Sequence, residues 1–409
     1  MATSSISGLY SPALSSPTPT SANPVDILRA LLGLTAALTG APQETTTAIP
    51  AGANAFRQEM QQSLQQLDQG WAGFLGGGTR VTFSAQTPGL TPDQQVVLPK
   101  PVQVANGANA TQLSTDRVRV LDRNLATPGA AVDAQGSLTG PRGAVQSLVA
   151  AENVDSLFRE KLGADFRYDT PDGRLSVDLD ARVAGPQAVK GGDIQFSNNQ
   201  LLATADPDVV SHEAGHKLLF SLRPGLSNDL ATQSTHEAFG DTVSLFTSLR
   251  DPSVRADLLG RLANGNASSL ASQVGESVPA SERAARGPNA NLAGPAPPGV
   301  RDLAGPLPRP GNPDPHEAGK PFGKAVFQSV LEVAGALRQG NAAMSPDEAL
   351  RQANEIVSSD VIRAVSLLPQ RGSASPDLMA RAVLQTDQRD QGGQFAQILA
   401  NNFRNTGLL

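Results

Sequence analysis

Apolar residues recur along this chain with two periods, and the switches between them mark out its elements. Between residues 54 and 75, Phe56, Met60, Leu64, Leu67, Trp71 and Phe74 stand three or four apart, with Gln and charges between them. That spacing predicts one amphipathic helix, ended by Gly76-Gly77-Gly78. Arg117-Val118-Arg119-Val120-Leu121-Asp122 alternates with the two-residue period of a strand. Helical spacing returns from Ala144 to Leu162, through Val145, Leu148, Val149, Val154, Leu157 and Phe158, with Gly163 placed as a C-cap. Phe166–Tyr168 and Leu175–Leu179 predict short strands joined by a hairpin turn at Asp172-Gly173. Asp193–Phe196 predicts another strand. The last hundred residues are helical in pattern: Ala325–Leu337, Pro346–Ser358, Val361–Leu368, Pro376–Gln385 and Gln394–Phe403.

The stretch from Val209 to Asp241 departs from simple patterning, because polar residues with chemistry interrupt its apolar runs. His212-Glu213-Ala214-Gly215-His216 is an H-E-x-x-H sequence. Residues four apart share a helix face, so the two imidazoles can meet one Zn²⁺ ion. Glu213 lies one residue on, rotated by about a hundred degrees, where its carboxylate can serve as general base without being a ligand. Val209, Val210, Leu218, Leu219 and Phe220 give this helix apolar flanks, and Arg223-Pro224-Gly225 stops it. A catalytic zinc takes three protein ligands and leaves one position open. Glu237 is the expected third ligand, on a second helix running from near Ser234 to Asp251-Pro252. Asp241, one turn further, can accept the other ring N–H of a ligating histidine and fix its tautomer. Two plainer readings stand beside this one. The motif can lie on an ordinary amphipathic helix, and Ser234-x-x-Glu237 also fits a capping box. Only four histidines occur in the chain, and two of them at this spacing favour the metal.

Composition narrows the classes. The net charge of −6 argues against a nucleic-acid role driven by bulk charge. With no cysteine, disulfides, thiolate ligands and a cysteine nucleophile are excluded. No segment approaches the roughly 18–20 apolar residues of a membrane span. Ile27–Leu38 has Asp26 before it and Arg29 within it, which fits an amphipathic helix better than a secretory signal. At 409 residues the chain is long enough for two domains.

The stretch around the motif resembles the thermolysin-like family of gluzincin metallopeptidases. Asp208-Val209-Val210-Ser211 leads into the helix as the family's D-V-V-A does, and His236-Glu237-Ala238-Phe239-Gly240-Asp241 stands where the family has N-E-A-x-S-D. The resemblance extends over about Thr115–Leu409. It implies a zinc-dependent endopeptidase acting on peptide or protein substrates. One Zn²⁺ would be bound per chain by His212, His216 and Glu237, with Glu213 as base and Asp241 behind a ligand. It further implies that Arg301 contacts the substrate carbonyl. His316, in Asp314-Pro315-His316-Glu317-Ala318-Gly319 with Lys324-Ala325 following at the family's interval, would donate to the oxyanion. An edge strand above the metal would bind the substrate backbone by strand addition, with Asp180-Ala181-Arg182-Val183 as the nearest equivalent, centred on Ala181.

The implied fold is a two-lobed α/β zincin: a mixed-sheet N-terminal lobe bearing the H-E-x-x-H helix, then a mainly helical C-terminal lobe. The expected organisation is a low-complexity and targeting segment (residues 1–53) and an amphipathic helix with connector (54–114). The latter packs on the main domain or covers the cleft as a prosegment. The two lobes follow as residues 115–225 and 226–409. Several positions depart from the family. No tyrosine lies near Ser227 to act as second oxyanion donor, and His236 replaces an asparagine. Ser248, Ala256, Leu258 and Arg261 stand where calcium-binding carboxylates are expected, so calcium is not predicted. These departures keep two alternatives open, a weak or inactive zinc-binding scaffold and a narrow-specificity effector protease. The Ser/Pro-rich start favours secretion without a standard signal over a cytoplasmic location, and the oligomeric state is left open.

Overall fold

The computed structural model describes residues 79–82, 95–98, 102–106, 110–122, 131–132, 137–139, 142–181, 186–197, 207–269, 271–274, 301–309 and 311–409. The segment 1–53, the helix expected over 54–75, the Thr127-Pro128-Gly129 turn, Arg182-Val183 and most of the long Gly/Pro-rich loop lie outside them.

The chain is a mixed α/β protein with mixed sheets and eight α-helices among the described residues. Six strands form the sheet that matters for the site: β3 (Gln103–Asn106), β4 (Thr111–Ser114), β5 (Val118–Asp122), β8 (Leu175–Ala181), β10 (Ile194–Ser197) and β9 (Gln187–Ala188), in that spatial order. A second sheet has the order β2 (Gln95–Leu98), β1 (Thr79–Thr82), β7 (Ser137–Thr139), β6 (Ala131–Val132). In β5, Val118, Val120 and Asp122 are buried while Arg119 and Leu121 are partly exposed, the alternation the sequence predicts. Helix α1 (Arg142–Leu162) connects β5 to β8, which run parallel. The chain then passes beyond β10, forms β9 at the edge, and returns antiparallel to it as β10.

Three expectations change here. Phe166–Tyr168 is not a strand and no hairpin forms at Asp172-Gly173. The turn is present, with Gly173 at φ +72°, but β8 pairs with β5 instead. The reason is packing: Phe166 and Tyr168 close an aromatic cluster on Phe158, their centroids 4.9 Å apart, and Arg117 takes the Phe166 carbonyl. The boundary at residue 115 also moves, because β3 and β4 are hydrogen-bonded members of the β5 sheet, and Leu113 is fully buried. Finally, Ala181 closes β8, an inner strand flanked by β5 and β10. The edge belongs to β9.

The helices that follow are α2 (Pro207–Leu222), α3 (Leu230–Ser248), α4 (Pro252–Ala263), α5 (Pro315–Gly340), α6 (Pro346–Ala364), α7 (Pro376–Asp390) and α8 (Ala396–Asn405). Pro stands at the N-terminal end of several, where its missing N–H costs nothing. The breaks expected between 358 and 361 do not occur: α6 runs on to Ala364 and ends in a 3₁₀ turn over Val365–Leu367. Asp360 and Val361 are both fully buried there, so packing carries the helix through. Among the described residues no helix is long and apolar enough to cross a membrane.

Candidate metal centre and cleft

Every residue of α2 from Asp208 to Leu219 is buried. A helix buried on all sides needs a partner for each polar side chain it carries, and α2 carries Ser211, His212, Glu213, His216 and Lys217. Helix α3 supplies most of the opposing surface. Its start lies four residues before the expected Ser234, because Asp229 caps it, accepting Thr232 N–H at 2.9 Å. Ser234 instead turns its hydroxyl back to Leu230 O at 2.7 Å. The capping-box reading of Glu237 therefore fails, and Glu237 is a mid-helix side chain facing α2.

Small residues set how closely the two helices meet. A Cβ on Gly215 would lie 2.9 Å from Gly240 Cα, and one on Gly240 would lie 2.7 Å from the His212 ring. Gly319 does the same for α5, where an added Cβ would stand 2.6 Å from Ser234 O. Helices α2, α3 and α5 thus bring their polar faces to one place.

At that place His212 Nε2 and His216 Nε2 are 3.0 Å apart. Glu237 Oε2 lies 3.3 Å from His212 Nε2, and Oε1 3.7 Å from His216 Nε2. These three residues form the group able to hold a metal ion among the described residues. The donor set fits. A tetrahedral ion with bonds of about 2.0–2.1 Å requires its ligand atoms about 3.3 Å apart, the range seen here. Glu237 Oε2 is buried, with His212 Nε2 at 3.3 Å and His316 Nε2 at 3.2 Å. Acceptor atoms crowded in this way repel unless a proton or cation lies between them.

The surroundings orient the His212 ring. Asp241, 1% exposed, lies 2.9 Å from His212 Nδ1 and accepts its N–H, which turns Nε2 towards the common point. The same carboxylate oxygen takes Arg301 at 2.7 Å. Arg301 stands on β12 (Arg301–Asp302), paired antiparallel with β11 (Gln273–Val274).

Electrostatics follow from burial and these neighbours. Burial alone would raise the Glu237 carboxyl, but the His212 hydrogen bond, His216 and Arg301 bring it far below the usual range. Burial and Arg301 oppose protonation of His212, yet Asp241 and Glu237 raise it to about 9. Burial pushes His216 well down. It pushes Glu213 up to about 7, with Glu237 adding to the rise while His212 and the backbone N–H of Ala188 restrain it. His236 is held down to about 4 by burial. Its ring lies 4.7 Å from Phe220 and 5.5 Å from His216, centroid to centroid.

These groups line a cavity of about 580 Å³. Glu213 lies at its floor beside β9, and Arg301 lines it alongside Val209 and Val274. His316 stands at the rim on the first turn of α5. Its Nδ1 is 2.8 Å from Asp314 Oδ1 and its Nε2 is 3.2 Å from Glu237 Oε2. So the structure brings His212, His216, Glu237, Glu213, Asp241, Arg301 and His316 together and leaves Ala181 out. Pro186, Gln187 and Ala188 take Ala181's place along the cleft. Tyr168 is in the core and does not line the cavity, whereas Ser227 does. Asp208 accepts Ser248 Oγ–H at 2.5 Å.

Sequence reasoning missed Lys217. This residue is fully buried, with Nζ 2.6 Å from Asp169 Oδ1. A lysine inside the apolar run His216-Lys217-Leu218-Leu219-Phe220 was the available signal. Compared with known proteins, the chain matches no family model and no curated protein.

Proposed function

We propose that the chain is a zinc-dependent endopeptidase, arranged as a thermolysin-like two-lobed zincin with its cleft between the sheet-bearing and helical parts. The observation that carries this reading is the convergence of His212, His216 and Glu237 on one point beside the buried carboxylate of Glu213. Two imidazoles and one carboxylate form a donor set suited to zinc, and three ligands leave a tetrahedral position open. When bound, zinc supplies Lewis acidity that acidifies water and polarises a carbonyl.

The chain's own residues do the rest. Glu213, raised to about 7 by burial, is matched to taking a proton from the attacking water and returning it to the leaving amine. Water oxygen bonds to the carbonyl carbon, the C–N bond breaks, and the proton ends on nitrogen. His316, oriented by Asp314, donates through Nε2 to the negative oxygen that develops. Asp241 and Arg301 lock the His212 ring. β9, the edge strand, lines the cleft and is where an extended peptide would add.

The test is cleavage of a mixed peptide library by the zinc-loaded full chain, beside Glu213→Gln. Cleavage that o-phenanthroline stops, and that falls about 10²–10⁴-fold in the variant, is expected. If zinc binds one per chain but neither protein cuts any peptide, hydrolysis is wrong, and a peptide-binding scaffold replaces it.

A further inference from the structure

The turn after β9 is tied down from below. Val189 N–H donates to Asp193 O, and Gly192 N–H to Val189 O, both at 3.0 Å. Gly191 sits at φ +70°, a conformation that disfavours any side chain. Lys217 Nζ, rising from α2, donates to Val189 O at 2.8 Å and to Asp169 Oδ1 at 2.6 Å. Asp169 Oδ2 in turn accepts Gly191 N–H at 2.7 Å. A hairpin tip held at two backbone groups by an ion pair has little freedom, so what it carries is held in place.

It carries Lys190. This side chain is exposed and lines the cleft, and its ammonium donates to Pro224 O just beyond α2. The other cleft arginines are engaged: Arg223 with the carbonyls of Leu222, Ser366 and Leu368, and Arg301 with Asp241. Among the described residues Lys190 has no carboxylate partner, and two of its three protons remain after the Pro224 carbonyl. Beside Pro224 the lining residues include Leu226, Ser227 and Asn228, none of them acidic, and the cavity's own acids, Glu213 and Glu237, belong to the candidate metal centre. The neighbouring acid, Asp229, is engaged in capping α3.

We propose that Lys190 determines specificity by pairing with the carboxylate of an aspartate or glutamate in the bound peptide. This deepens the peptidase reading and rests on it. Lys190 stands two residues beyond Ala188, whose N–H holds Glu213. That nearness places the acidic side chain close to the bond that is cut. An exposed ion pair favours Glu over Gln there by up to about five-fold.

The experiment compares the full chain with Lys190→Glu and Lys190→Gln on peptide libraries varied at each position near the cut. Enrichment of Asp and Glu at one position, lost in Lys190→Gln and replaced by Lys and Arg in Lys190→Glu, is expected. Cleavage with no acidic preference, or with one unchanged in Lys190→Glu, overturns the proposal and leaves hydrolysis standing. Binding of labelled peptides to Glu213→Gln, with and without Lys190→Glu, reads the same preference without turnover. A chain that binds acidic peptides through Lys190 but cuts none therefore loses hydrolysis and keeps the subsite.

Discussion

Glu237 and Asp360 are carboxylates on inward faces of helices, α3 and α6, and their surroundings push them in opposite directions. Around Glu237 stand two imidazoles, Arg301 and, at the rim, His316. These overcome burial and hold it ionised. Around Asp360, burial comes first and Asp387 and Asp390 second, raising its carboxyl to about 8, with Arg363 and Lys161 too weak to compensate. Both Asp360 oxygens lack a hydrogen bond. Buried acidity therefore does not mark a site. What marks one is a buried acid whose neighbours are themselves lone-pair donors aimed at the same point, with a further shell that orients them. The α2–α3 contact has this, whereas at the α6–α7 contact Asp360 faces Asp387 and Asp390, and Arg363 pairs with Asp390 instead.

The comparison can be pressed in three places. Lys217→Met would make Asp169 resemble Asp360, an acid deprived of its cation. Loss of one partner from a buried pair should cost about 3 kcal/mol in urea unfolding. A loss under about 1 kcal/mol would show that Val189 O and Gly191 N–H need no strut. His316→Ala removes one cation-capable neighbour of Glu237 at the exposed rim. It should lower peptide turnover about a hundred-fold with little change in unfolding midpoint, and equal loss of both would make His316 structural.

Asp360→Asn probes the idle acid. The folded carboxyl titrates near 8 and the unfolded one near 3.9. Between these pH values the folded chain holds the extra proton. Stability is therefore fully present below about pH 4 and declines as pH rises towards 8. The amide abolishes that slope, worth about 5 kcal/mol at pH 8, and gives back about 1–3 kcal/mol for its own unpaired burial, a net gain of about 2–4 kcal/mol. Parallel pH profiles for the two proteins would mean that Asp360 ionises normally.

Much of the site was legible because it is local. His212, Glu213 and His216 follow from helical spacing, and Glu237 and Asp241 repeat the same one-turn offset on the next helix. What the sequence hid is non-local. Ala181 and Ala188 both sit in short extended runs, and only the strand order, with β10 inserted between β8 and β9, decides which faces the cleft. The parallel pairing of β5 with β8 depends on α1 crossing between them, while Asp172-Gly173 invites a local hairpin. Lys217 pairs with Asp169 across 48 positions, a separation no periodicity reveals.

The most direct measurement is calorimetric titration of zinc into the metal-free full chain at pH 7.5, in two buffers of different ionisation heat, alongside His216→Ala and Glu237→Ala. The hydrogen bonds to Asp241 and Glu237 keep His212 protonated up to about pH 9, although burial and Arg301 oppose this, so a cation must displace that proton. One zinc per chain, release of about one proton and loss of tight binding in both variants are expected. Zinc that fails to bind, or that binds as tightly without His216 and Glu237, would contradict it.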